Sequence, residues 1–148
     1  MTTGLEQPLQ ELDIAMRAVL DRVRADAAGT ELVVELRVDP NFAVPDGLDD
    51  RPPAGQVVGV IGEHVFAAGF EHGIEAGCAR VMNVVQDDVV DARGRPWPEV
   101  TDGHGSGLGV LDVSSEPLGI AHWSLRGHPL CAVGHLVETC RALGWRVL

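Results

Sequence analysis

Apolar residues recur with helical spacing in two long stretches of the chain. The first stretch predicts a helix from about Gly4 to Ala28, with a capping box at Thr3 and Glu6. Its apolar positions are Leu5, Leu9, Leu12, Met16, Val19, Leu20 and Val23. The second stretch predicts a helix that ends at Gly94. Its apolar positions are Phe70, Ile74, Cys78, Val81, Met82, Val85 and Val89.

Alternating and short apolar runs predict strands outside these helices. Residues 32–38 alternate between apolar and charged side chains, the period of a strand with one face in water. Residues 56–61 form a short apolar run, and 63–68 continue it after a glycine turn. Residues 108–113 and 118–125 flank a polar loop that contains proline, which predicts a hairpin.

The last part of the chain allows two interpretations over residues 129–134. Either Leu130–Val133 completes a three-stranded meander, or Pro129 opens a helix. Both interpretations retain a helix from about His135 to Leu143, with a glycine stop after it. A short terminal strand over 145–147 follows.

The order of these elements predicts the fold class. Helix, strands, helix, hairpin and terminal helix indicate an α+β protein, with a small antiparallel or mixed sheet and two to three helices packed on one face. We expect one globular domain over residues 1–148. An exposed Pro-rich loop is expected at 40–55 and a Gly-rich loop at 103–109.

Charge and composition narrow the classes of function. The 148 residues include no lysine, and 11 arginines stand against 22 acidic residues, so the formal net charge is −11. Without lysine, a phosphate-binding P-loop and Schiff-base catalysis are excluded. An acidic surface repels polyphosphate backbones and anionic lipids. We therefore expect neither nucleic acid nor membrane as a partner, and we favour a basic protein.

The termini and cysteines indicate the compartment. The first residues lack the basic start and apolar stretch of a signal peptide, and no apolar run reaches the roughly 18 residues of a membrane span, which predicts a cytoplasmic location. Cys78, Cys131 and Cys140 are an odd number of cysteines without a Cys-x-x-Cys pair. Reduced, mostly buried thiols are therefore expected instead of disulfides.

Histidines in the last third of the chain are candidates for chemistry. His122, His128 and His135 lie close in sequence with Cys131 among them, and these side chains would suit zinc if turns brought them together. A Cys131 nucleophile with a neighbouring histidine base is a related hypothesis. Surface and capping histidines explain the same spacing, and the sequence favours that interpretation. We predict no metal and no cofactor, and no catalytic residue is assigned.

Two further polar segments have less specific patterns. Glycine occupies every second position from Gly103 to Gly109, but the frame around Ser106 fits neither a nucleophile elbow nor a dinucleotide fingerprint. Alternating glycines favour a mobile loop, whose functional role would be a lid. On the second helix, Asp87 and Asp91 share the face opposite the apolar residues, which indicates a solvated acidic stripe.

Part of the chain resembles small uncharacterised bacterial proteins. The shared residues are Gln86, Asp87, Trp97, Pro98, His104 and Trp123. Those proteins carry Trp-Pro-x-Cys-Pro after a helix and Trp-x-Cys-Pro on a hairpin, whereas Val100 and Leu125 stand at the cysteine positions here. The resemblance implies a similar fold and no particular activity. If the relatives use two cysteines and a histidine as a metal knuckle, only His104 is kept.

These features favour a non-enzymatic module that binds, regulates or inhibits a basic protein. The expected binding surface consists of Trp97, His104, Ser106 and Trp123. The alternative is a small hydrolase or metal-dependent enzyme that uses histidines and aspartates under the Gly-rich loop. A homodimer, formed through an exposed sheet edge or the first helix, is compatible with both.

Overall fold

Three helices confirm the predicted α+β class. The structure, a computed structural model, describes residues 6–39 and 56–148. The helices are α1 (Glu6–Ala27), α2 (Ile74–Arg93) and α3 (Leu136–Leu143), and one turn of 3-10 helix (Phe70–His72) precedes α2. Gly94 and Gly144 end α2 and α3 in the left-handed conformation, as the sequence predicts.

The strands form two antiparallel sheets instead of one. The first sheet consists, in spatial order, of β1 (Val34–Asp39), β2 (Gln56–Ile61) and β3 (His64–Ala67). The second sheet contains β4 (Glu99–Thr101), β5 (Gly107–Ser114), β6 (His122–Leu125), β7 (His128–Ala132) and β8 (Arg146–Val147). Its spatial order is β7-β6-β5-β4-β8, so the terminal strand pairs with β4 and not with its sequence neighbour.

The second sheet departs from the prediction in three ways. Strand β7 covers the first part of residues 129–134, where Cys131 pairs with Trp123 of β6. The helical interpretation of this segment is therefore wrong. The segment Leu118–Ala121 is not strand, because Gly119 adopts a positive φ of 74° within a turn. Strand β4 was not predicted, because three residues are too few to show a period.

One cluster of buried apolar side chains connects the helices with both sheets. Its fully buried members include Val19, Val23, Val34, Val81, Met82, Val85, Leu111, Trp123 and Leu136. The Pro-rich loop predicted at 40–55 lies outside the described residues. Within the described ranges, no helix combines the length and apolarity needed to cross a membrane.

Gly59 of β2 leaves space for an aromatic ring on the neighbouring strand. It pairs with Phe66 of β3, and a Cβ atom at Gly59 would overlap the Phe66 ring. Phe66 is only 5% exposed, so the ring has little room to move. We expect Gly59→Ala to lower the free energy of unfolding by about 1–3 kcal/mol, because this overpacking exceeds the roughly 0.4–1 kcal/mol gained by restricting the unfolded chain.

Urea denaturation tests this expectation. Gly107→Ala in β5 is the matched control, because no atom lies within 4 Å of its Cβ position. The control should keep its stability or gain up to about 1 kcal/mol, because only the effect on the unfolded chain remains. Equal losses in the two variants would show that the Phe66 ring does not determine the requirement for glycine.

Candidate functional site

The two tryptophans expected on a binding surface lie in the core. Trp97 is 2% exposed and Trp123 is 0% exposed. Their rings meet edge to face, with centroids 6.0 Å apart and planes at 89°, an arrangement that aromatic quadrupoles favour. His104 and Ser106, the other two members of the expected surface, are exposed. The predicted surface is therefore corrected to exclude both tryptophans.

The Gly-rich segment forms a tight turn organised by Asp102. Its Oδ1 atom accepts hydrogen bonds from the backbone N–H groups of His104, at 2.8 Å, and Ser106, at 2.9 Å. The Asp102 backbone N–H donates to the Ser106 carbonyl at 2.9 Å. Strand β5 already begins at Gly107. The segment thus begins as a hydrogen-bonded turn between β4 and β5, the kind that aspartate favours.

The histidines proposed as a zinc site occupy separate environments. His122 is buried, and its Nδ1 atom lies 2.7 Å from the Ile120 carbonyl oxygen. His128 on β7 and His135 before α3 are exposed. His122 and its neighbour on β6, Trp123, are both buried. In the described part of the chain, no three His, Cys, Asp or Glu side chains are placed to hold a metal ion.

The three cysteines are free, with thiols that are protonated at neutral pH. Burial raises the pKa of Cys78 and of Cys131 to about 11. Burial also raises the pKa of Cys140 above its ordinary value. Because the thiolate is the nucleophilic form, none of these thiols is activated for attack. The prediction of buried thiols is confirmed for Cys78 and Cys140, and Cys131 is half-buried.

A buried carboxylate joins three elements of the fold. Asp26, in the last turn of α1, is 5% exposed. Its Oδ2 atom accepts hydrogen bonds from Trp123 Nε1, at 2.8 Å, and from the Gly134 backbone N–H, at 2.7 Å. Its Oδ1 atom accepts from the Leu136 backbone N–H at 3.1 Å. The Asp26 carboxylate therefore ties α1 to β6 and to the start of α3.

This carboxylate caps α3 from another element. His135 precedes the helix, but its side chain makes no capping hydrogen bond. The first N–H groups of a helix lack partners within it, and a negative charge near them is favourable. Desolvation by burial raises the pKa of Asp26 above its ordinary value, although the hydrogen bonds to it act in the opposite direction. With donors of the protein on both oxygens, Asp26 is a structural anchor.

A second polar bridge consists of Arg22 and Glu75. Arg22 Nη1 donates to Glu75 Oε2 at 2.9 Å, and Arg22 Nε donates to the Val133 carbonyl at 2.9 Å. Glu75 Oε1 accepts from the Ala121 backbone N–H at 2.9 Å. The hydrogen bond from Arg22 lowers the pKa of Glu75 below its ordinary value. This bridge connects α1 and α2 to the residues flanking β6 and β7.

Sequence reasoning did not single out either bridge. For Asp26 a signal existed, since it lies on the apolar stripe of α1, three residues after Val23 and seven after Val19. A charged residue on such a stripe requires buried hydrogen-bond partners. No comparable signal marks Arg22, whose partners are 53 residues or more away in sequence.

The outer face of α2 and the turn between β2 and β3 form an acidic ridge, which we define as Glu63, Asp87, Asp88 and Asp91. His64 Nδ1 lies 3.0 Å from Asp88 Oδ2, and this contact places the turn beside the helix. Glu63, Asp87 and Asp91 are exposed, and none has an ion pair with another described residue. The described helix thus carries the solvated acidic stripe that its sequence indicates.

Comparisons with known proteins identify no relative of this chain. Neither a family model, nor a curated protein, nor a solved structure matches it. At the cysteine positions of the bacterial pattern, Val100 is fully buried and pairs with Gly109. Leu125 Cδ1 would lie 3.1 Å from a Cβ atom on Gly109. Apolar side chains therefore pack where that pattern has cysteines.

Proposed function

We propose that this chain is a non-enzymatic binding module, regulatory or inhibitory in kind, that recognises a basic protein through the acidic ridge. The observation that carries the proposal is that Glu63, Asp87 and Asp91 are exposed without ion pairs in the described part of the chain. Carboxylates that pair with no cation in the described part of the chain are available to a partner's arginines and lysines. The net charge of −11 adds attraction once a basic partner comes within about 8 Å, the screening length at physiological ionic strength.

The internal polar groups support binding over catalysis. Asp26 and Glu75 accept hydrogen bonds from donors of the same chain. The thiol pKa values are raised, so the cysteines offer no activated nucleophile. A reaction centre needs a nucleophile or base aligned with a group that orients it. Stoichiometric zinc or iron in the purified protein would instead favour the alternative, a small hydrolase or metal-dependent enzyme.

Neutralising the ridge tests the proposal. The variant Glu63→Gln/Asp87→Asn/Asp91→Asn removes three negative charges and leaves Asp88 paired with His64. Each exposed charge pair contributes about 0.2–1 kcal/mol, so losing three pairs costs about 0.6–3 kcal/mol and we expect partner affinity to fall roughly 3- to 150-fold. Quantitative mass spectrometry of proteins captured from an extract of the source cells measures the loss, and purified partners can then be titrated.

The matched control removes the same charge elsewhere on the surface. Glu11→Gln/Asp21→Asn/Glu35→Gln changes three exposed carboxylates on α1 and β1 that lie outside the ridge. Basic partners should be retained by this control and lost by the ridge variant. Equal capture by all three proteins, or captured partners that are acidic, would refute recognition through the ridge.

A further inference from the structure

We propose that a cleft near residue 148 binds a small organic anion with a flat apolar body. The cleft has a volume of about 570 Å³, within the range of roughly 300–1,000 Å³ typical of small-molecule sites. Its walls come from the ends of α1 and α2, from α3 and from β8. No residue of the acidic ridge lines it, so this proposal is independent of the proposed function.

Two unpaired guanidinium groups line the cleft. Arg141 on α3 and Arg146 on β8 are exposed, and neither guanidinium group makes a hydrogen bond or ion pair with a described residue. Arg93 is a third cation, but its Nη2 atom donates to the Gly29 carbonyl at 2.8 Å and its Nη1 atom to the Leu148 carbonyl at 3.5 Å. The proposal therefore rests on Arg141 and Arg146. The planar guanidinium matches the oxygens of a carboxylate or phosphate.

Other charges at the cleft do not cancel these cations. The carbonyl groups at a helix C-terminus carry partial negative charge, and backbone N–H groups beyond the helices satisfy some of them, at Ala27, Val90, Cys140 and Arg141. The Asp26 carboxylate also lines the cleft, but it is 5% exposed, its oxygens face three donors of the protein, and the lining has three arginines against this one carboxylate side chain. The net charge of the chain opposes an anion, but salt screens it beyond about 8 Å at physiological ionic strength. The adjacent arginines therefore decide the local preference.

Apolar side chains complete the cleft. Trp97 lines the cleft but is only 2% exposed, so the accessible apolar surface comes from Trp145 and Val137. Trp145 is half-buried and Val137 is 46% exposed. Flat apolar groups pack well against such rings. Together with the two arginines, these walls fit an aromatic or similarly flat molecule that carries one carboxylate or phosphate.

Isothermal titration calorimetry with defined probes tests the site. The probes are 2-naphthoate, 1-naphthyl phosphate and the neutral 2-naphthamide. We expect at least one anion to bind at least tenfold more tightly than the amide, and the tighter anion distinguishes a carboxylate from a phosphate ligand. Arg141→Gln/Arg146→Gln should weaken that anion at least tenfold. The control Arg37→Gln/Arg126→Gln, which removes the same charge at exposed positions outside the cleft, should change it less than twofold.

A second variant tests the location without changing charge. Val137→Trp fills part of the cleft from an exposed position on α3, and we expect it to weaken the anion at least tenfold while circular dichroism shows an unchanged fold. Three results would overturn the proposal: no binding of either anion at millimolar concentration, equal binding of the amide, or wild-type affinity in either cleft variant. None of these results bears on the ridge, because neither cleft variant alters a ridge residue.

Discussion

Replacement of Asp26 by alanine is expected to lower the free energy of unfolding by about 3–5 kcal/mol. The substitution leaves the Trp123 indole and the backbone N–H groups of Gly134 and Leu136 without their acceptor. Urea denaturation at neutral pH measures the loss. Asp21→Ala, at an exposed position on the same helix, is the control and should cost less than about 0.5 kcal/mol. A loss below about 1 kcal/mol for Asp26→Ala would mean that the anchor contributes little.

The conservative variant Asp26→Asn gives the pH dependence of this anchor. It keeps one acceptor oxygen, so roughly half of the alanine loss is expected. Burial raises the folded-state pKa of Asp26 above the unfolded value of about 3.9, so the native state binds the proton more tightly. The stability of the wild type relative to Asp26→Asn should therefore rise as pH falls from the raised pKa towards about 4. A relative stability that falls over this window would show that the hydrogen bonds outweigh burial.

Replacement of Arg22 by methionine is expected to cost roughly 2–3 kcal/mol. Exposed ion pairs contribute about 0–1 kcal/mol, and breaking a buried pair costs about 3–5 kcal/mol. The Arg22 and Glu75 side chains are 25% and 33% exposed, so their pair lies between these limits. Arg17→Met is the control, because Arg17 pairs with Asp13 at 78% and 55% exposure and should lose less than about 0.5 kcal/mol. Similar losses for the two arginines would show that the bridge acts as an ordinary surface pair.

Lowering the pH should reduce the difference in unfolding free energy between the wild type and Arg22→Met. The hydrogen bond from Arg22 holds the folded-state pKa of Glu75 below its unfolded value, which is about 4.3. The stability that this shift contributes is fully present above the unfolded pKa and is lost as pH falls through the lowered pKa. The difference in unfolding free energy between wild type and Arg22→Met should be constant above about pH 5 and shrink below about pH 4. A difference that stays constant in acid would exclude the charged pair as its source.

Local elements were predictable where one apolar face determines the structure. Val19 and Val23 on α1 share a face at helical spacing, and both are fully buried. The division into two sheets was not predictable in the same way, because strand pairing joins distant segments. Val100 of β4 pairs with Val147 of β8, and no period in the sequence relates the two positions. Tertiary pairing of this kind lies beyond local patterns.

The candidate sites, too, were predictable only where a local sequence pattern marks them. The acidic ridge was partly visible, because Asp87 and Asp91 share one helix face in the sequence. The cleft was not visible, since Arg141 and Arg146 meet Trp97 only through the packing of α3 and β8. Trp97 was expected on the binding surface, yet the fold buries its ring against Trp123. No local pattern in the sequence determines which way this side chain points.

We infer that the buried polar groups stabilise the fold and that binding takes place on the surface. Asp26 is the residue on which this inference depends most. A double-mutant cycle with Asp26→Asn and Trp123→Phe measures it directly by urea denaturation. If the indole donates to the carboxylate as the structure shows at 2.8 Å, the coupling free energy should be about 1–3 kcal/mol. Strictly additive effects of the two substitutions would contradict the role of Asp26 as a structural anchor. The Asp26 carboxylate would then be available for chemistry.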